Sequence, residues 1–266
     1  MKFRFKSFRL FKKKRRSVHG TFAEDRKLIL DEATPFAVKE AYRTAYTNLL
    51  YLPISDKCKR IAITSAVPGE GKTIVSINLS VTLAQSSTEH RVLLIDADLR
   101  KPRIARLLGE TGQIHGLSEY LACIDEEPNI RSTEIPGLSV LYSGKTTTNP
   151  AALLASERME TLIKYCEDKF EYIIIDTSPV NTVSDALLLK KNINGYLLVA
   201  RAGFSDVGNL NEAVESMRML EATVYGVILD AFDPKSGKGK TYAKYYKNGK
   251  YAAYNSYSYD TSTTQE

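Results

Sequence analysis

The sequence predicts an α/β protein in three layers, with a mostly parallel central sheet and helices on both faces. One observation is a series of short leucine-rich or β-branched runs with little polar alternation, typical of strands buried on both faces. These runs are residues 60–65, 91–96, 138–142, 171–176, 195–200 and 224–230. A second observation is that helical patterns lie between several of them, at residues 72–86, 102–109, 151–169, 185–191 and 209–221. Strands that alternate with helices form parallel sheets.

Length and composition permit one substantial core with additional tails. The chain has 266 residues, of which 43% are hydrophobic. Its cysteines, Cys58, Cys123 and Cys166, are widely spaced and odd in number, which indicates reduced thiols of a cytoplasmic protein. The apolar runs, such as residues 196–200, are too short to span a bilayer, and no secretory signal follows the basic start.

The first sixteen residues form a basic arm. They hold nine lysines and arginines and no acidic residue, and Phe3, Phe5, Phe8 and Phe11 are interleaved with the cations. Because the whole chain carries +6 and the arm carries +9, the remainder carries −3, so the positive charge is local. Cations with aromatic rings favour binding to the inner membrane surface. An inert solvated tail and a nucleic-acid-binding arm remain alternatives.

Shifts in composition divide the chain into three regions. Residues 17–37 are mixed and expected to be irregular, and a helix is predicted over residues 38–52, between Pro35 and Pro53. From Lys235 onward, glycines and lysines interrupt the pattern. The predicted regions are a basic arm and linker (1–37), a globular domain (38–233) and a flexible tyrosine-rich tail (234–266).

The first strand, residues 60–65, leads into a phosphate-binding loop. In Ser65-Ala-Val-Pro-Gly-Glu-Gly-Lys-Thr73, a strand, a glycine turn, Lys-Thr and a helical pattern follow one another, although Ala66 replaces the first glycine of the general pattern. Glycines let backbone N–H groups surround phosphate oxygens, and the helix N-terminus attracts the same anion. Lys72 would reach the outer phosphates, and the Thr73 hydroxyl would hold Mg²⁺. The predicted nucleotide-binding residues here are Pro68, Gly69, Glu70, Gly71, Lys72 and Thr73.

Three carboxylates follow strands of the predicted sheet. Asp96 and Asp98 come at the end of the second strand, and Asp176 ends the strand that contains three isoleucines. Ligands of parallel sheets bind at the carboxyl ends of the strands, so these side chains are expected beside Lys72. Asp176 is the expected ligand of metal and its water. Of Asp96 and Asp98, one would assist the metal and the other would accept a proton.

The tail is rich in tyrosine and lysine and has almost no aliphatic residues, so it cannot form a core. Six lysines fall between residues 235 and 250. Base stacking, self-association and phosphoryl acceptance could each explain the aromatic residues, but only the last connects them to a triphosphate site. The candidate phosphoacceptors are Tyr242, Tyr245, Tyr246, Tyr251, Tyr254, Tyr257 and Tyr259.

Over residues 35–266 the chain resembles the cytoplasmic catalytic protein of the bacterial tyrosine kinases that regulate capsule and exopolysaccharide synthesis. The segments that carry the resemblance are Ala66–Thr73, Leu94–Arg100, Ile173–Asp176 and the tyrosine cluster. The resemblance implies a P-loop NTPase fold with ATP and Mg²⁺ as cofactors. It also implies that Lys72, Asp96 and Asp98 are catalytic and that Thr73, Asp98 and Asp176 hold the metal.

The resemblance also implies partners. Members phosphorylate the tail of a neighbouring subunit, often in rings, and are activated by a transmembrane adaptor of the chain-length-regulator type. This implies a cytoplasmic protein at the inner face of the cell membrane, where the basic arm would help to hold it. Nucleic acid is not an expected partner.

Two departures from the family pattern bear on assembly and on nucleotide choice. The family's oligomerising helix carries Glu-x-x-Arg-x-x-Arg, whereas this chain keeps Glu40 and Arg43 but has Tyr46 at the third position. At the position of Asp230, relatives often carry an asparagine that contacts adenine. A carboxylate accepts hydrogen bonds from adenine's amino group and equally from guanine's donors.

The nearest alternative function is a switch ATPase of the Min/Par partitioning type, which has the same fold. Those proteins carry a lysine near the start of the phosphate loop, where this chain has Val67, and they lack a tyrosine tail. Both observations favour the kinase. A nucleic-acid-binding protein regulated by ATP is a further alternative, and it predicts salt-dependent binding to DNA or RNA.

Overall fold

A computed structural model describes residues 25–232, and these contain a seven-stranded sheet. The strands are β1 (Lys59–Ser65), β2 (Val92–Asp96), β3 (Arg131–Ser132), β4 (Leu138–Leu141), β5 (Tyr172–Asp176), β6 (Gly195–Arg201) and β7 (Val224–Asp230). Their order across the sheet is β3-β4-β2-β5-β1-β6-β7, and every neighbouring pair is parallel except β3 and β4. The predicted α/β fold and all six predicted strands are confirmed. The two-residue β3 was missed because it is too short to produce a periodic pattern.

Besides the helical residues 25–26, eight α-helices and one 3₁₀ turn lie within residues 25–232. The helices are α1 (Phe36–Leu50), α2 (Lys72–Gln85), α3 (Ile104–Leu107), α4 (Leu117–Leu121), α5 (Pro150–Leu154), α6 (Glu157–Glu167), α7 (Asp185–Leu188) and α8 (Val207–Met219). The single helix predicted over residues 151–169 is two, because Ser156 adopts an extended conformation between α5 and α6. The predicted helix 102–109 contains only the four residues of α3.

The core lies on both faces of the sheet. Successive side chains of a strand point to opposite faces, and β1 shows this alternation. Ile61 and Ile63 pack in one buried cluster with α2, whereas Ala62 packs in the other with α6 and Met217 of α8. The predicted arrangement of helices on both faces is therefore confirmed.

β7 differs from the prediction of a strand buried on both faces. Val227 is 49% exposed and Leu229 is 45% exposed. The reason is position: β7 pairs with β6 on one side and has no strand on its other side within residues 25–232. The prediction was wrong for this strand because composition does not report which strand lies at an edge.

The segment before α1 packs on the domain. Asn78 of α2 accepts a hydrogen bond from the Leu30 N–H and donates one to the Leu28 carbonyl oxygen, both at 2.9 Å. Ile29 and Leu30 pack against the buried cluster beneath α2. The boundaries after residues 37 and 233 stay predictions, and the basic arm and the tyrosine cluster lie outside the described residues. Among residues 25–232, no helix is both long and apolar enough to cross a membrane.

Candidate active site

The phosphate loop has the strand, turn and helix that the sequence predicts. β1 ends at Ser65, and α2 begins at Lys72 immediately after Gly71. Gly69 and Gly71 have φ angles of 90° and 94°, a left-handed region that favours glycine. An added Cβ at Gly71 would also clash with the Asp230 carboxylate. The loop and the positive end of the fourteen-residue α2 thus face one pocket, which suits an anion.

This pocket has a volume of about 440 Å³. Most of the residues predicted to bind nucleotide line it, together with Asp98: Pro68, Gly69, Gly71, Lys72, Thr73 and Asp230. Asp96 and Asp176 are adjacent in register on β2 and β5 and are buried next to Lys72. The expectation that the strand-end carboxylates meet the phosphate loop is therefore met.

Lys72 is embedded among carboxylates. Its ammonium Nζ lies 2.8 Å from Asp98 Oδ2. Asp98 Oδ1 also accepts hydrogen bonds from the Ser178 hydroxyl at 2.8 Å and from the Lys101 N–H at 3.1 Å. Burial lowers the pKa of Lys72, but the charges of Asp176 and Asp98 outweigh it, so the pKa is raised and Lys72 stays protonated.

The three aspartates differ in their electrostatic environment. Burial raises the pKa of Asp98, yet the charge of Lys72 and the hydrogen bonds to Asp98 leave that pKa below its usual value. Burial, followed by the charge of Asp176, raises the pKa of Asp96. Burial also raises the pKa of Asp176. The neighbouring carboxylates of Asp96 and Asp176 therefore favour a proton or a cation between them.

The residues present fit a magnesium ion. Asp96 Oδ1 and Asp176 Oδ2 are buried and have no hydrogen-bond partner within residues 25–232. The Ser76 hydroxyl donates to Asp176 Oδ1 at 3.0 Å, which orients that carboxylate, and Thr73 interacts with it as well. The same part of the chain has no group of three or more His, Cys, Asp or Glu arranged as a metal cage. Mg²⁺ needs none, because it usually takes one or two carboxylates together with phosphates and water.

Two comparisons with known proteins bear on the site. Residues 58–200 match the family model described as an AAA domain. The chain is 34% identical to the tyrosine-protein kinase CpsD of Streptococcus agalactiae over 213 residues, which cover 80% of this chain and 90% of that protein. The chain belongs to the bacterial tyrosine-kinase family. It is also 33% identical to the tyrosine-protein kinase etk of Escherichia coli K12, but it spans only 29% of the length of that relative.

Solved structures agree with membership of the tyrosine-kinase family. The kinase domain of E. coli tyrosine kinase ETK superposes with a TM-score of 0.70 at 33% identity, covering 75% of this chain and 77% of that one. The septum site-determining protein MinD of Pyrococcus horikoshii, complexed with Mg-ADP, reaches a TM-score of 0.53 at 23% identity, covering 65% of this chain and 70% of that one. The second likeness shows the fold alone.

The predicted oligomerisation residues of this family member lie on α1. Glu40 and Arg43 form an ion pair with each other on the exposed surface of the helix. Tyr46 packs edge to face on His90, with ring centroids 6.2 Å apart, and His90 packs in the same way on Tyr172 at 5.3 Å. The tyrosine at the third motif position therefore helps to dock α1 on its own domain.

Sequence reasoning missed several parts of the site of this family member. Arg100 forms a bidentate ion pair with the buried Asp185 of α7, and the Ser178 hydroxyl donates a hydrogen bond to Asp98. Glu70 lies in the phosphate loop as predicted, but its side chain is buried against Val67 and Ser205 rather than lining the pocket. The motif Asp-Leu-Arg after β2 was a signal for Arg100, whereas its partner lies 85 residues later and no local pattern identifies it.

Proposed function

We propose that this chain is an ATP-dependent protein-tyrosine kinase that phosphorylates its C-terminal tyrosine cluster, in trans between subunits. We further propose that it regulates capsular or exopolysaccharide synthesis together with a transmembrane adaptor. The observation that carries the proposal is the single lysine of the phosphate loop, Lys72, buried among three strand-end carboxylates at one pocket. The family relationship and the tyrosine tail point to the same chemistry.

The phosphate loop forms the donor side of the site. Its backbone N–H groups and the α2 N-terminus would hold the β- and γ-phosphates of ATP, and Lys72 would leave Asp98 to neutralise the γ-phosphate. Thr73, Asp98 and Asp176 would hold Mg²⁺. When bound, the ion supplies positive charge to the phosphate oxygens during transfer.

Two aspartates are candidates for the base that accepts the phenolic proton. We favour Asp96, because its Oδ1 has no hydrogen-bond partner in the described residues and because its position at the end of β2 orients it. Asp98 lines the pocket, but it is a proposed ligand of Mg²⁺, and its Oδ1 accepts hydrogen bonds from the Lys101 N–H and the Ser178 hydroxyl. Removal of the true base should lower kcat by roughly 10²- to 10⁴-fold while ATP affinity changes little.

Two buried tyrosines of the folded domain are poor acceptors. Tyr196 is fully buried and donates a hydrogen bond to the Ala186 carbonyl oxygen at 2.9 Å. Tyr142 is also buried and donates to Glu110 at 3.1 Å. Burial raises the pKa of both phenols, so neither hydroxyl is free to meet a γ-phosphate. The proposed acceptors are the tyrosines of the tail.

The proposed partners follow from surfaces and from the family. Phe36, the first residue of α1, is 60% exposed, and Tyr51, the residue after the helix, is 83% exposed. The ion pair of Glu40 and Arg43 lies on the surface of the same helix. This surface supports self-association, for which we propose a ring-shaped homo-oligomer. The basic arm at residues 1–16 would hold the kinase at the inner face of the cell membrane, near its adaptor.

Mass spectrometry after incubation with Mg²⁺ and ATP, in the presence of the adaptor's activating segment, tests the proposal. Phosphate is expected on tyrosines between Tyr242 and Tyr259 and should vanish in Lys72→Met, whereas Lys57→Met, outside the pocket, should leave it unchanged. ATP hydrolysis without any phosphotyrosine would refute the kinase and favour a switch ATPase. Mixing Lys72→Met protein with an active protein that lacks its tail tests transfer in trans, because only transfer between subunits can then label the intact tail.

A further inference from the structure

Arg201, the last residue of β6, is a second cation beside the phosphate loop. It lines the pocket together with Gly69, Gly71 and Asp230. Its guanidinium Nη1 donates a hydrogen bond to the Gly69 carbonyl oxygen at 3.4 Å. Arg201 therefore lies beside both the phosphate loop and Asp230, and a nucleotide with its phosphates on the loop and its nucleobase near Asp230 would pass close to the guanidinium.

A chain of hydrogen bonds ties the backbone of Arg201 to the phosphate loop. The Glu70 carboxylate, only 1% exposed, accepts from the Val67 N–H at 2.9 Å through Oε2 and from the Ser205 hydroxyl through Oε1. The same Ser205 oxygen accepts from the Arg201 N–H at 2.7 Å, and the Ser205 N–H donates to the Arg201 carbonyl oxygen at 2.9 Å. A buried carboxylate is tolerated when it is hydrogen-bonded in this way. The phosphate loop, which follows β1, and the end of β6 are thus held at a fixed separation.

We propose that Arg201 contacts the bound nucleoside di- or triphosphate, and that Ser205 and Glu70 are positioning residues that hold Arg201 for this contact. A guanidinium carries five N–H donors in a planar fork that matches phosphate oxygens, and the bond to Gly69 engages one donor. The remaining donors are available to an oxygen of the diphosphate moiety, a charge-assisted hydrogen bond of the stronger kind. This inference rests on the nucleotide binding of the proposed function but not on the identity of the phosphoryl acceptor.

Calorimetric titration of the full chain with ADP and Mg²⁺ tests the contact without any phosphoryl transfer. Arg201→Ala should weaken ADP binding about ten- to a hundredfold, which corresponds to loss of a hydrogen bond to a charged group. Arg218→Ala is the matched control, because Arg218 is an exposed arginine of α8 that does not line the pocket. Its affinity for ADP should equal that of the unaltered chain.

The positioning role requires a second comparison. Ser205→Ala should weaken ADP binding about three- to tenfold, since it removes the hydrogen bond that holds the Arg201 backbone. If Ser205 acts through Arg201, the double variant Arg201→Ala/Ser205→Ala binds ADP no more weakly than Arg201→Ala alone. A merely structural serine would add its full effect in both backgrounds, and that result would overturn the positioning role.

Other outcomes separate this inference from the proposed function. An affinity for ADP in Arg201→Ala within twofold of the unaltered chain would overturn the contact. If Arg201→Ala is unfolded in a thermal melt, Arg201→Lys replaces it, because it keeps the charge but loses the fork and should still bind ADP several-fold more weakly. ADP binding that depends on Arg201, in a chain that makes no phosphotyrosine, would refute the kinase and leave this inference standing. A chain that binds no ADP would overturn both.

Discussion

The ion pair between Arg100 and Asp185 predicts an unusual order of destabilisation. Arg100 Nε lies 2.6 Å from Asp185 Oδ2, and Nη2 lies 3.0 Å from Oδ1. The Asp185 side chain is 2% exposed, whereas that of Arg100 is 41% exposed. Arg100→Ala therefore leaves a buried carboxylate without the two hydrogen bonds that fix it, while Asp185→Ala leaves a guanidinium that water can solvate. Removal of the more exposed partner should destabilise the protein more.

The magnitudes follow from burial. Removal of one partner of a buried ion pair typically lowers the free energy of unfolding by about 3–5 kcal/mol. Leaving a buried polar group without its hydrogen bond typically lowers it by about 1–3 kcal/mol. Because water can enter where the half-exposed arginine was, we expect Arg100→Ala to lower the free energy of unfolding by about 2–3 kcal/mol. Asp185→Ala should lower it by about 1 kcal/mol, and the double variant should resemble Asp185→Ala.

Urea unfolding at pH 7.5 without nucleotide measures these differences. Arg131→Ala is the matched control, because Arg131 is similarly exposed and its partner Glu110 is exposed as well, at 3.7 Å. That change should lower the free energy of unfolding by less than about 1 kcal/mol. An Arg100→Ala variant no less stable than the control, or less destabilised than Asp185→Ala, would refute the reasoning.

Three further predictions concern the pocket. Burial raises the folded-state pKa of Asp96, so the stabilising contribution of this carboxyl group is present at low pH and is lost as pH rises through that raised pKa. Urea unfolding between pH 5 and pH 9 should therefore show that Asp96→Asn becomes more stable, relative to the unaltered chain, as pH rises. Parallel profiles of unfolding free energy against pH would contradict this. Gly71→Ala should weaken ADP binding at least tenfold and lower Tm, because it adds left-handed strain of about 1–2 kcal/mol and a clash with Asp230. Gly112→Ala has a similar φ but open space around it, so it should lower Tm slightly and leave ADP binding intact. Asp230→Asn should raise the preference for ATP over GTP by about tenfold in competition binding, because a carboxylate accepts hydrogen bonds from guanine's two donors better than an amide does. An unchanged ratio of the two affinities would mean that the nucleobase does not contact Asp230.

Local patterns were sufficient for most of the fold. The strand from Lys59 to Ser65 and the helix from Lys72 were predicted to within a residue, because a buried strand, a glycine turn and a helix each leave a contiguous pattern. The meeting of Asp96, Asp98 and Asp176 beside Lys72 was predictable too, because parallel strands end at one edge of a sheet. Short or interrupted elements such as Arg131–Ser132 and the break at Ser156 were not.

The partners of the site residues were beyond local patterns. Glu70 and Ser205 are 135 residues apart, and Arg100 and Asp185 are 85 apart. Such pairs depend on which loops the sheet order brings together. The exposure of β7 depends on the same order, since the apolar composition of an edge strand resembles that of a central one.

The sequence by itself determined the phosphate loop, because Gly69 and Gly71 permit backbone angles that other residues disfavour and because Lys72 and Thr73 follow in register at the start of a helix. It also determined which strands end in carboxylates. Only the tertiary structure decided what those groups do electrostatically. Whether a carboxylate is desolvated or paired with a cation depends on neighbours from distant strands. Asp98 is paired with Lys72, whereas Asp96 is buried and its Oδ1 has no hydrogen-bond partner within residues 25–232.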